Sequence, residues 1–150
     1  MVETLFYHLQ RRPLEHVLPT LLEKTLDRGW KAVVQTVTPE RTAALDSHLW
    51  TFSEESFLPH VADGEPATED DPIVLTVGDG NPNGAEVRFL VEGARLPQDA
   101  SGYSRLIVIF DGNDDEALAK AREQWREARA AGHDATYWQQ NDDGRWEKKA

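Results

Sequence analysis

The chain has 150 residues, with 27 Asp and Glu against 16 Lys and Arg and a formal net charge of −11. That balance excludes generic binding to phosphate backbones unless the basic residues gather on one face. The lack of cysteine excludes disulfides and thiolate metal sites. Hydrophobic residues make up 39%, which fits one globular domain over residues 1–150 with a sizeable core. The first residues lack a basic segment followed by a long apolar one, and no apolar run reaches the roughly 18 residues of a membrane span. A soluble cytoplasmic protein is expected, with no membrane contact.

Thr4–Leu9 reads as a first strand, rich in β-branched and aromatic residues. Leu14, Val17, Leu18, Leu21, Leu22 and Leu26 recur at helical spacing up to Gly29. Pro19 falls inside that pattern, so either the helix kinks there or its regular part begins there. Lys31–Val37 is apolar enough for a central strand. Thr38-Pro39-Glu40 then supplies a hydroxyl cap and a proline at the first helical position, for a helix to about Trp50. Strand, helix, strand, helix argues for a parallel sheet covered by helices.

Residues 50–60 place Trp50, Phe52, Phe57 and Leu58 in a connecting segment, where aromatics either close a core or form a docking pocket. Residues 62–72 form a polar loop. Ile73–Val77, Glu86–Val91 and Arg105–Phe110 are three further strands, the last strongly buried. Asp111–Asp115 is a capping stretch, and Glu116–Ala131 is the clearest helix, closed by Gly132. The tail, through Tyr137-Trp138 and Arg145-Trp146, reads as a hairpin or edge strand.

Gly78, Gly80 and Gly84 follow a strand but miss the dinucleotide pattern. The third glycine comes one residue too late, Pro82 interrupts, and no helix opens behind them. Asp79, Asn81, Asn83 and Gly84 begin a calcium loop whose twelfth position holds Leu90 instead of glutamate. A turn between strands explains the stretch better. The five histidines show no metal spacing, and neither a Gly-x-Ser-x-Gly elbow nor a Walker loop occurs. No cofactor, metal or catalytic residue is therefore assigned.

In the last helix Leu118, Ala121, Trp125 and Ala128 form one stripe, and Arg122, Arg126 and Arg129 an adjoining one. Two readings are open. In one, Trp125 is core and the arginines are a solvated face paired with Glu123 and Glu127. In the other, arginine forks hold carboxylates of an acidic peptide beside an aromatic wall.

The chain resembles the chi subunit family of the bacterial DNA polymerase III holoenzyme. The resemblance rests on Phe6-Tyr7-His8-Leu9, Gly29-Trp30-Lys31-Ala32-Val33-Val34, Leu45–Trp50 followed by Glu55–His60, and Arg122-Glu123-Gln124-Trp125-Arg126 with Ala131-Gly132. It implies a three-layer α/β domain with a mainly parallel central sheet, similar in layout to nucleotide-binding folds but without a nucleotide site. It also implies a non-catalytic subunit of the clamp-loader complex, with no direct nucleic-acid contact. Its partners would be the acidic C-terminal tail of single-stranded DNA-binding protein and, as in better-known members, the psi subunit. By position it implies a peptide pocket with Trp50 and Phe57 on one wall and Arg122, Trp125 and Arg126 on the other. Leu118 stands where some members have a lysine, and Asp111 where an apolar residue can occur. The alternative reading is a small α/β enzyme or nucleotide-binding domain using the carboxyl ends of the strands.

Overall fold

The computed structural model describes residues 2–10, 12–51, 59–62, 70–78, 80–97, 99–141, 143 and 145–150. The elements are β1 (Glu3–Leu9), α1 (Leu14–Asp27), β2 (Ala32–Gln35), α2 (Pro39–Thr51), β3 (Val61–Ala62), β4 (Ile73–Thr76), β5 (Val87–Val91), β6 (Arg105–Asp111), α3 (Asp115–Ala130), β7 (Asp134–Gln140) and β8 (Trp146–Lys148). The strands form one sheet in the order β3-β4-β2-β5-β6-β1-β7-β8. Every pairing is parallel except that of β7 with β8, where the tail closes as an edge hairpin. The expected α/β fold with a mainly parallel sheet is the observed one.

Alternation along the strands sorts the core into two layers. On one face Leu5, Leu9, Ile107 and Ile109 meet Leu18 and Leu22 of α1 and Leu45 and Leu49 of α2. On the other, Phe6, Val108 and Phe110 meet Ala121 and Ala128 of α3. Both faces of β6 are thus buried, which is why its sequence reads as an unbroken apolar run.

Helix α1 runs unbroken through Pro19. Proline has no N–H for the carbonyl four residues back, here that of Glu15. The His48 ring of α2 donates to that carbonyl through Nε2. The residue that suggested a break instead frees an acceptor that ties two helices together.

Two differences from the sequence reading stand out. The two-residue strand β3 lies at the end of what reads as loop, too short for any periodicity to show. The connection from β4 to β5 is also no tight turn. These strands both pair with β2 in the same direction, so the chain must return to the far end of the sheet, and it does so without a helix. Arg88, fully buried, anchors that return. It donates to Gly78 O at 2.6 Å, Gly80 O at 2.9 Å, Gln35 Oε1 and the Tyr103 hydroxyl. Asn83 donates to Ala32 O and Asp71 O, and Asn81 bonds both ways with the backbone of Ala85. These amides brace the loop, which gives Asn81 and Asn83 of the calcium-like spacing a structural use. Asp79 lies outside the described residues.

Candidate functional site

Helix α3 starts where the Asp114 carboxylate accepts the N–H groups of Glu116 and Ala117, and Gly132 turns the chain away at φ +84. Its inner stripe is Ala121, Gln124 and Ala128. Gln124 is absent from the apolar stripe read in sequence. It is buried because its side-chain amide donates to Ala94 O at 2.8 Å. Trp125 stands at the stripe's edge, half-buried, with Phe6 at 5.4 Å and Tyr137 at 6.1 Å, both edge-on. The Arg129 guanidinium lies 5.7 Å from its ring centre.

Beside Trp125 is a depression of about 280 Å³ lined by Arg122, Trp125, Arg126, Tyr137 and Ala150. Arg122 and Arg126 are exposed, and among the described residues no carboxylate lies within ion-pair distance of either. Pairing with Glu123 and Glu127 is therefore not what occupies them. Tyr137 reaches the depression because β7 pairs with β1 and places it opposite Phe6, on the α3 face. The backbone of Tyr137 also pairs with the last residues, its N–H to Ala150 O and its carbonyl to Lys149 N–H at 2.7 Å. Its hydroxyl meets Nδ1 of His8 at 2.6 Å. Burial holds the phenol above its usual pKa, against the opposing pull of Arg122. Tyr137 and His8 escaped the sequence reading. The only signal was the register of two strands far apart in the chain.

The structure does not bring Trp50 to this depression. Trp50 lies in the last turn of α2, which shares the core layer of α1, while Arg122, Trp125 and Arg126 belong to the opposite layer. Helix α2 packs on β3 and β4, α3 on β1, β6 and β7. In the strand order β3 and β7 are six spacings apart, about 29 Å at roughly 4.8 Å each. Trp50 is 50% exposed and lies on the His60 ring at 4.2 Å, while buried His60 meets the Asp46 backbone carbonyl through Nε2 at 3.2 Å. A pocket walled by Trp50 on one side and Arg122 on the other is thus corrected: the sheet stands between them. Phe52, Phe57 and Leu58 lie outside the described residues, so the second aromatic of the expected wall has no described position.

A larger crevice of about 720 Å³ opens on the other side of α3, at the carboxyl ends of β1, β5 and β6. Helix α1 leaves β1 toward one face and α3 leaves β6 toward the other, so this is where such folds hold nucleotides. Its chemistry is wrong for phosphate. Glu15, Glu92, Asp111, Asp114 and Glu116 line it against Arg12, Arg41 and Lys120. Arg41 is already held by Glu15 at 2.7 Å and by both oxygens of Glu92 at 2.9 and 2.8 Å. The start of α3 is capped by its own carboxylate, which both fills the N–H groups and repels an anion. Among the described residues no group of three or more His, Cys, Asp or Glu is placed to hold a metal ion, and no helix is long and apolar enough to cross a membrane.

Residues 1–136 match the family described as "DNA polymerase III chi subunit, HolC". A curated relative from Rickettsia prowazekii (strain Madrid E), named "Probable DNA polymerase III subunit chi", is 26% identical over 111 residues. The match covers 70% of this chain and 67% of the relative.

Proposed function

This chain belongs to the DNA polymerase III chi subunit family, and from that premise we propose that it is a non-catalytic adaptor for an acidic protein tail. An accessory subunit of a replicative polymerase works within the replication machinery. The proposed partner is the C-terminal tail of single-stranded DNA-binding protein, through which the replicase is held on coated DNA. The psi subunit is proposed as its link to the clamp loader.

The observation that supports this reading is the depression beside α3. Two arginines without a carboxylate partner among the described residues flank a Trp125–Tyr137 wall. In a chain of net charge −11, this is a local reversal of sign. A terminal phenylalanine would rest on Trp125 and Tyr137, and the carboxylates would meet Arg122 and Arg126. At 280 Å³ the space suits a side chain rather than a whole cofactor. Burying a phenylalanine contributes about 1.5–3 kcal/mol. Charge-assisted hydrogen bonds add about 1.5–3 kcal/mol each, and ordering a flexible tail costs several kcal/mol. Micromolar affinity that weakens with salt is the expected balance.

The test is a titration of a fluorescent acidic peptide ending in Pro-Phe. Arg122→Ala is expected to weaken binding at least tenfold, about 1.4 kcal/mol, and deletion of the terminal phenylalanine to abolish it. Unchanged affinity for Arg122→Ala would sink the assigned site.

A further inference from the structure

We infer that His8 is a positioning residue for this depression, its Nδ1–H holding the Tyr137 hydroxyl so that the phenolic hydrogen is presented to a carboxylate bound by Arg122 and Arg126. The inference rests on the peptide-binding reading above and names what the pocket selects in its ligand.

The geometry begins with burial. His8 is only 8% exposed, on the α3 face of β1, against the rings of Phe110 at 5.2 Å and Tyr137 at 5.9 Å. Its Nδ1 meets the Tyr137 hydroxyl at 2.6 Å, while its Nε2 is buried and has no hydrogen-bond partner. The far edge of the ring lies under the backbone of Gly112. A Cβ there would stand 1.7 Å from Nε2, so glycine is what lets the ring sit in this orientation.

A neutral imidazole carries its proton on one nitrogen or the other. With the proton on Nε2, a buried N–H faces no acceptor and loses its full solvation. With the proton on Nδ1, the ring donates to Tyr137 and only a lone pair is left bare at Nε2. The second arrangement leaves the smaller deficit. Burial also keeps the imidazole neutral by pushing its pKa down, against the nearby Asp111 carboxylate. Asp111 at the end of β6 acts on His8 and Arg122 on α3 acts on Tyr137, with Arg126 of α3 and the terminal residue Ala150 lining the same depression.

A phenol has a single hydrogen. Once its oxygen accepts from His8, that hydrogen is available to the depression that Tyr137 lines with Arg122. The pocket then offers a neutral donor beside two guanidinium groups. Such a set matches a terminal carboxylate better than a terminal amide, because an amide nitrogen brings hydrogens of its own.

The experiment measures anisotropy of two peptides with the same acidic sequence, one ending in a free α-carboxylate and one in an α-carboxamide. Tyr137→Phe keeps the ring against Trp125 and removes only the hydroxyl. It is expected to weaken the carboxylate peptide about tenfold and to leave the carboxamide peptide within about twofold. His8→Leu should do the same. His8→Asn, which can place an N–H near the position of Nδ1, should restore the preference. A carboxylate preference as large in Tyr137→Phe as in the wild type overturns the inference, as does an equal loss of both peptides in His8→Leu that His8→Asn fails to repair. If Arg122→Ala binds both peptides like the wild type, the peptide-binding reading fails and takes this one with it. If only Arg122→Ala loses affinity, the pocket stands and the role of His8 falls.

Discussion

The two sides of α3 present opposite cases. The crevice toward β1, β5 and β6 is the larger, at about 720 Å³, and lies where the fold class places its ligands. The depression toward β7 is smaller, at about 280 Å³, and lies where the fold class predicts nothing. In the first, Arg41 is held between Glu15 and Glu92, and acidic groups outnumber basic ones. In the second, two arginines stand beside an aromatic wall with no described carboxylate to hold them. Volume and fold position favour one side, and unspent charge favours the other. Recognition needs groups that are not already satisfied, and that is what supports the smaller depression as the proposed site.

That contrast can be broken in three ways. The strongest lies in the loop that starts α3. Gly112→Ala would drive a Cβ into the His8 ring and shift the ring, Tyr137 or the loop itself. Overpacking of this kind costs about 1–3 kcal/mol, read as a lower urea midpoint. Peptide binding should fall with it, because Tyr137 lines the smaller depression. A variant with an unchanged midpoint and unchanged affinity would show that the His8–Tyr137 contact matters to neither.

Arg41→Ala tests the larger crevice and should cost less. Its ion pairs are about one-third exposed, so their loss is worth no more than about 1 kcal/mol. Peptide affinity should stay within about twofold of wild type, since Arg41 lies on the other side of α3. The effect also has a direction in pH. Burial pushes the Glu15 carboxyl up, but hydrogen bonds from Arg41 and its own backbone, with the charges of Arg41 and His48, outweigh it. The net shift is below the ordinary 4.5. A carboxyl depressed on folding stabilises above its unfolded pKa, and that contribution is lost as pH falls through the folded one. The gap between wild type and Arg41→Ala should therefore be full at pH 7 and shrink below pH 4.5. A gap that widens in acid would reverse the assignment.

The smallest expected effect is a thermal shift with nucleotides. A ligand that binds only the folded state raises the melting temperature in proportion to its occupancy. Millimolar ATP or NAD is expected to move it by less than about 1 °C, because the crevice is acid-lined and the start of α3 is already capped. A clear rise would restore the nucleotide reading that the fold layout suggests.

The same comparison shows what could be read from residues alone. The elements were legible wherever a pattern is local. Alternation and β-branching mark β1, the unbroken apolar run marks β6, and Asp114 with Gly132 brackets α3. The arginine stripe was legible too, since it repeats within one helix. What failed was long-range. Nothing near Glu86–Val91 says that Arg88 will be fully buried and will hold a helix-free crossover. Gln124 looks like a surface residue until Ala94 supplies its acceptor.

Trp50 marks the boundary between the two kinds of information. Residues alone place it near the end of a helix that starts at Thr38-Pro39-Glu40, and they put Arg122, Trp125 and Arg126 on α3. They determined the parallel sheet as well, because helices and strands alternate along much of the chain. Which helices share a face of that sheet is set by packing between segments far apart in the chain. A one-residue step along β1, from Leu5 to Phe6, separates the layer of α2 from the layer of α3. The physical reason is the two-residue period of a strand, which sends neighbouring side chains to opposite sides. The helices follow whichever side buries their apolar stripe. By the same rule Tyr137 faces α3, where it meets His8 across 129 residues of sequence.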